Sequence, residues 1–98
     1  MPAPVYIGDE VSAAGYRLAG ARVTVPEPGG ESAALAAARE QAPLVLVSAA
    51  VAARIAGREM RAALAALAPL TVIVPDLRGE AAVPDVAARL RRQLGLEG

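Results

Sequence analysis

Four short apolar runs punctuate the chain at helix-length intervals: Val5 to Gly8, Arg22 to Val25, Leu44 to Val47 and Leu70 to Val74. Their valine and isoleucine content and wide spacing predict parallel strands joined by crossover helices. The last two, LVLV and LTVIV, show little polar alternation, which predicts interior strands covered on both faces.

The intervening segments carry helical periodicity and its punctuation. A first helix is expected to begin near Glu10, where carboxylates suit the unpaired amides, and to stop at Gly20 as its C′ residue. Val11, Ala14 and Leu18 share one side of it, the expected inner face. A second helix opens after Gly29-Gly30 and runs through ESAALAAAREQA, with Leu35, Ala38 and Ala42 on its inner stripe, until Pro43 forbids continuation. The stretch from Ala49 to Leu67 follows Ser48, a good N-cap, and is divided by Gly57, which predicts a kink or two helices. Pro84-Asp85 then favours a final helix with Val86, Leu90 and Leu94 on one side, ending at Gly95.

Strand and helix alternate four times, so the expected fold is α/β: one domain over 1–98, a four-stranded parallel sheet of order 2-1-3-4 with right-handed crossovers, flanked by helices. This is a flavodoxin-like or receiver-like (βα)4 arrangement with one unit fewer. Chains of 98 residues bury about 60 to 65% of their unfolded surface, which allows a thin core. The 55% apolar content overstates that core, because 25 of those residues are alanine and there is no phenylalanine or tryptophan.

Charge and composition narrow the function. Ten arginines balance ten carboxylates, so no basic excess marks a nucleic-acid face. Lysine is absent, which together with the alanine content reads as a coding bias. Without cysteine or histidine there is no disulfide, no thiolate and neither the commonest metal ligand nor the commonest general base. The opening MPAPVYIGDE has neither a basic start nor a long apolar run, and no stretch approaches the ~20 apolar residues of a membrane span, so a soluble cytoplasmic protein is expected.

Ligands of such sheets gather at the carboxyl ends of the strands, where Asp9, Glu10, Glu27, Ser48 and Asp76 are expected to emerge. Asp9 and Glu10 supply the paired carboxylates of a phosphoacceptor receiver domain, but Ser48 stands where the phosphorylated aspartate belongs. A weak Mg²⁺ site from Asp9, Glu10 and Asp76 is one alternative; both carboxylates as helix N-terminal groups is the other. Serines 12, 32 and 48 lack a histidine or lysine base and read as caps. Neither a dinucleotide fingerprint nor a P-loop occurs. Gly15 inside a helix costs about 1 kcal/mol relative to alanine, so a Cβ there is excluded by close approach, either to the sheet or to a partner. On the final helix, Arg89 and Arg92 lie three apart with Arg91 on another side, either a solvated edge matched to the helix dipole or a contact surface for acidic residues. Arg89, Leu90, Arg92 and Leu94 form the candidate partner interface.

The stretch VYIGDEVSAAGYRLAGAR, residues 5–22, is the most specific in the chain. It resembles the F-subunit of the V-type and archaeal-type rotary ATPases, whose opening strand ends in I-G-D or I-G-S and whose first helix carries G-F-R-L-A-G. Here these are Ile7-Gly8-Asp9 and Gly15-Tyr16-Arg17-Leu18-Ala19-Gly20. LVLVSAAVAARI, Leu44 to Ile55, is similar to the family's apolar strand, hydroxyl residue and I-A-x-x-I helix. Val72 to Pro75 is similar to its V-x-I-P turn. The resemblance implies a noncatalytic, cofactor-free central-stalk component, bound to the coiled-coil D-subunit that forms the shaft beneath the catalytic head, on the cytoplasmic side of the membrane. It also implies structural roles for Gly8, the Gly15–Gly20 segment and Pro75. The competing expectations are a degenerate receiver-like regulatory or Mg²⁺-binding domain and a small metabolic enzyme.

Overall fold

The computed structural model describes residues 2–75 and Arg92. Strands β1 (Val5–Ile7), β2 (Arg22–Thr24), β3 (Leu44–Ser48) and β4 (Leu70–Val74) form one all-parallel sheet of order β2-β1-β3-β4. Helices α1 (Glu10–Leu18), α2 (Glu31–Gln41), α3 (Ala49–Ala52) and α4 (Gly57–Ala65) link them in a Rossmann-like α/β arrangement. The expected fold class and strand order are therefore present, with strand ends shifted by one residue at β1, β2 and β3.

Strand alternation divides the core into two layers. Val5, Ile7, Val45 and Val47 face one side and pack with Leu35 and Ala38 of α2, with Val51 of α3 and Ile55 beyond it, and with Met60 and Ala63 of α4. Tyr6 and Leu46 face the other side, against Ala13 and Tyr16 of α1 and Ala19 and Ala21 beyond it. Gly57 opens α4 rather than kinking a continuous helix, so the segment after β3 is two helices, and Leu67 lies past the end of α4, 89% exposed. Gly20 takes the left-handed conformation at φ 108°. The Ala21 amide donates to Tyr16 O and the Gly20 amide to Arg17 O, the pairing of a Schellman C-cap.

Two sequence expectations are corrected. The buried side of α1 is Ser12, Ala13, Gly15 and Tyr16, whereas Val11 and Leu18 are 58% and 51% exposed. Small side chains let the helix approach the sheet, and the single large inward group, Tyr16, supplies the contact area. β4 is an edge rather than an interior strand among the described residues, and Val72 and Ile73 on its two faces are 38% and 43% exposed. The final helix expected around Val86, Leu90 and Leu94 lies outside the described residues apart from Arg92, which is helical and exposed.

Two side chains tie the layers together. Tyr6 and Tyr16 stack with ring centroids 4.0 Å apart and planes 10° from parallel. Such pairs add about 0.5–1.5 kcal/mol beyond their buried area. The Tyr16 hydroxyl donates to Pro75 O at 3.3 Å, joining α1 to the end of β4. On the opposite face Arg39 Nη1 donates to Thr71 Oγ1 at 2.7 Å and to Ala63 O and Pro69 O at 3.3 Å each. The Ala63 carbonyl lies in the last turn of α4, where helical carbonyls lack partners and a cation is favoured.

Gly8 is required by space. A Cβ at this position would overlap Tyr6 Oη and Cζ, because residues two apart on a strand share a face. Gly8→Ala is expected to destabilise the fold by about 1–3 kcal/mol, and by much less in a Tyr6→Leu background. Urea denaturation of the four proteins of this double-mutant cycle checks it; additive losses would contradict the steric coupling.

Candidate functional site

The sheet directs its functional groups to the carboxyl ends of β1 and β3, where successive crossovers leave on opposite faces and open a crevice. This crevice, about 270 Å³, is lined by Gly8, Asp9 and Glu10 after β1, by Val25 and Pro26 after β2, by Ser48 at the end of β3 and by Ala50, Val51 and Arg54 beyond it. The expected assembly of Asp9, Glu10 and Ser48 is therefore present. Glu27 is exposed and does not line the crevice; its carbonyl accepts the Gly30 amide at 2.8 Å. Asp76 lies outside the described residues.

Each polar group in the crevice has a structural task. Asp9 is the N-cap of α1, its Oδ2 accepting the Ser12 amide at 3.0 Å, and Glu10 supplies the acidic first turn. Ser48 caps α3, its Oγ accepting the Val51 amide at 3.2 Å. Of the three serines expected to cap, this is the one that does: Ser12 is buried within α1 behind the Asp9 cap, and α2 has no side-chain cap. Instead the Glu31 carboxylate accepts the Gly29 amide at 3.0 Å and approaches Arg54 at 3.7 Å. Glu31 is almost fully buried while Arg54 is largely in solvent, so water screens most of that attraction.

Two carboxylates, Asp9 and Glu10, and one guanidinium, Arg54, line the crevice among the described residues. A helix N-terminus attracts phosphate through its free amides, but at α1 two carboxylates already occupy that field. Among the described residues no group of three histidine, cysteine, aspartate or glutamate side chains could hold a metal ion. No helix among them is long and apolar enough to cross a membrane.

Two other hollows lie on the face covered by α2, α3 and α4. One of about 250 Å³ between α2 and α4 is lined by Leu35, Ala36, Arg39, Glu59, Ala62 and Ala63. The other, about 540 Å³ and mostly apolar, lies between α3, α4 and β4. Hydrophobic periodicity does not reveal the second, because one wall is Ala49, Ala52, Ala53 and Gly57, which carry little weight in such a pattern. The excess of exposed apolar residues at Leu64 and Ile73 is the available signal.

The remaining candidate residues are placed as follows. Gly15 and Ala19 are buried, Arg17 is exposed in the last turn of α1, and Pro75 follows β4. Of the candidate interface set, Arg89, Leu90 and Leu94 lie outside the described residues. The chain matches no family model, no curated protein and no solved structure.

If Asp9 serves as a cap, Asp9→Asn should leave stability within a few tenths of a kcal/mol and Asp9→Ala should cost about 1 kcal/mol. Thermal unfolding with and without Mg²⁺ checks this. A stabilisation by Mg²⁺ that both substitutions abolish would instead assign the carboxylate to a metal.

Proposed function

We propose that this chain is a noncatalytic central-stalk component of a V/A-type rotary proton-translocating ATPase or ATP synthase, corresponding to the F-subunit. It binds the coiled-coil D-subunit that forms the shaft beneath the catalytic head, on the cytoplasmic side of the membrane, and modulates ATP hydrolysis or synthesis by being carried with the shaft.

The observation that carries this reading is the convergence of the separate segments that resemble the F-subunit. Ile7-Gly8-Asp9 ends β1, makes room for the Tyr6 phenol and caps α1. Tyr16, from the Gly15–Gly20 segment, stacks on Tyr6 and bonds to Pro75, 59 residues away at the end of β4. Leu46, from the Leu44 to Ile55 segment, completes the same cluster. Motifs that pack against one another describe a scaffold, and a scaffold whose crevice residues Asp9 and Ser48 are committed to caps suits a part that binds and transmits force. The receiver-like and Mg²⁺ alternatives draw on Asp9, whose carboxylate holds the Ser12 amide.

Mixing the purified chain with the coiled-coil shaft protein and the catalytic head tests the reading. The chain is expected to be retained at one copy per shaft, to turn over no ATP by itself, and to change the hydrolysis rate of the assembly. Loss of the chain on gel filtration together with an unchanged rate would contradict it.

A further inference from the structure

We infer that the hollow between α3, α4 and β4 is a docking groove for an amphipathic helix whose apolar stripe is flanked by acidic residues. On the stalk reading above, from which this assignment follows, the occupant is one face of the coiled-coil shaft.

At about 540 Å³ the groove is roughly twice the size of either other hollow described. Met60 lies in its lining, and the unbranched thioether of methionine adapts to an incoming side chain. Ala52, Ala53 and Gly57 make a low wall, which lets another helix approach closely. Leu64 and Ile73 stand at its margin, 40% and 43% exposed, so a partner that covers them removes apolar surface from water.

Charge selects the partner. Among the described residues Arg61 is the one charged residue that lines the groove. Arg58, one turn earlier on α4, is also exposed, while the helix's acid, Glu59, lines the opposite hollow beside α2. The groove side of α4 is therefore cationic in a chain of zero net charge. Arginine forks pair with carboxylates in two-point geometry and are frequent at interfaces.

The shape favours a helix over a strand. A strand added at the β4 edge would run beside at most five residues before Pro75 and would leave the groove unfilled. A helix is a cylinder about 10 Å across whose anchors at i, i+3, i+4 and i+7 enter such a groove side by side.

Calorimetric titration of the full chain with the purified coiled-coil shaft protein tests the assignment. Leu64→Asp and Arg61→Glu should each weaken binding about tenfold or more, and Arg61→Glu should also flatten its salt dependence. Ala36→Arg, in the hollow on the other side of α4, should bind within about twofold of the unsubstituted chain. Thermal unfolding establishes that each variant is folded; if Leu64→Asp is not, Arg61→Glu, altered only at the surface, decides. Binding by the unsubstituted chain that neither groove substitution weakens, or an equal loss with Ala36→Arg, would overturn the groove and leave the stalk reading standing. Failure of the unsubstituted chain to bind would remove the stalk reading and the groove with it.

Discussion

The Tyr6 phenol occupies the volume where a side chain at position 8 would stand, and much of the molecule is arranged around that constraint. Because the ring is fully buried on β1, it must be covered, and Tyr16 of α1 covers it in a parallel stack. Because Tyr16 is held flat against Tyr6, its hydroxyl reaches the Pro75 carbonyl and joins the first helix to the end of the last strand. Close approach of α1 then demands small neighbours, which is why its buried side is serine, alanine and glycine. An alanine-rich chain with two aromatic residues places both at one point.

The opposite face is secured by charge rather than aromatic area. Arg39 gathers the Ala63 and Pro69 carbonyls and the buried Thr71 hydroxyl, so α2, the end of α4 and the start of β4 meet at one guanidinium. Hydrogen bonds to a charged donor contribute about 1.5–3 kcal/mol, on a face where α2 and α4 bury small side chains at Ala38 and Ala63. This clamp holds the inner side of α4 against α2, and the other side of α4 becomes the wall of the open groove.

The fold is legible in the sequence because its signals are repetitive: four apolar runs, helix stops at Gly20 and Pro43 and a serine cap at Ser48 mark the element boundaries. The face of α1 is not, because Val11, Ala14 and Leu18 outweigh Ser12, Ala13 and Tyr16 in any count of hydrophobicity, while packing distance favours the smaller set. The edge position of β4 follows from the expected order 2-1-3-4, but its run alone suggests an interior strand, since an apolar run looks the same on a covered strand and on an edge. The crevice acids are legible, since a βα turn fixes Asp9 and Glu10 at a helix start. Arg39 escapes a periodic reading because a guanidinium on an alanine helix carries no hydrophobic signature. Its position four residues after Leu35, on the same side as the inner stripe, is the clue that spacing provides.

The proposed function follows the division between the two ends of this architecture. At the carboxyl ends of the strands, the Asp9 carboxylate and the Ser48 hydroxyl are engaged in capping helices. At the β4 side, apolar side chains and arginines remain turned outward. Hydrogen–deuterium exchange of the full chain, alone and bound to the coiled-coil shaft and catalytic head, separates these two surfaces most directly. Contact through the groove predicts slowed exchange across Gly57–Ala65 and Leu70–Val74, with the amides of residues 8–12 and 48–51 unchanged. Protection confined to the crevice amides, or none anywhere in the chain, would contradict the account.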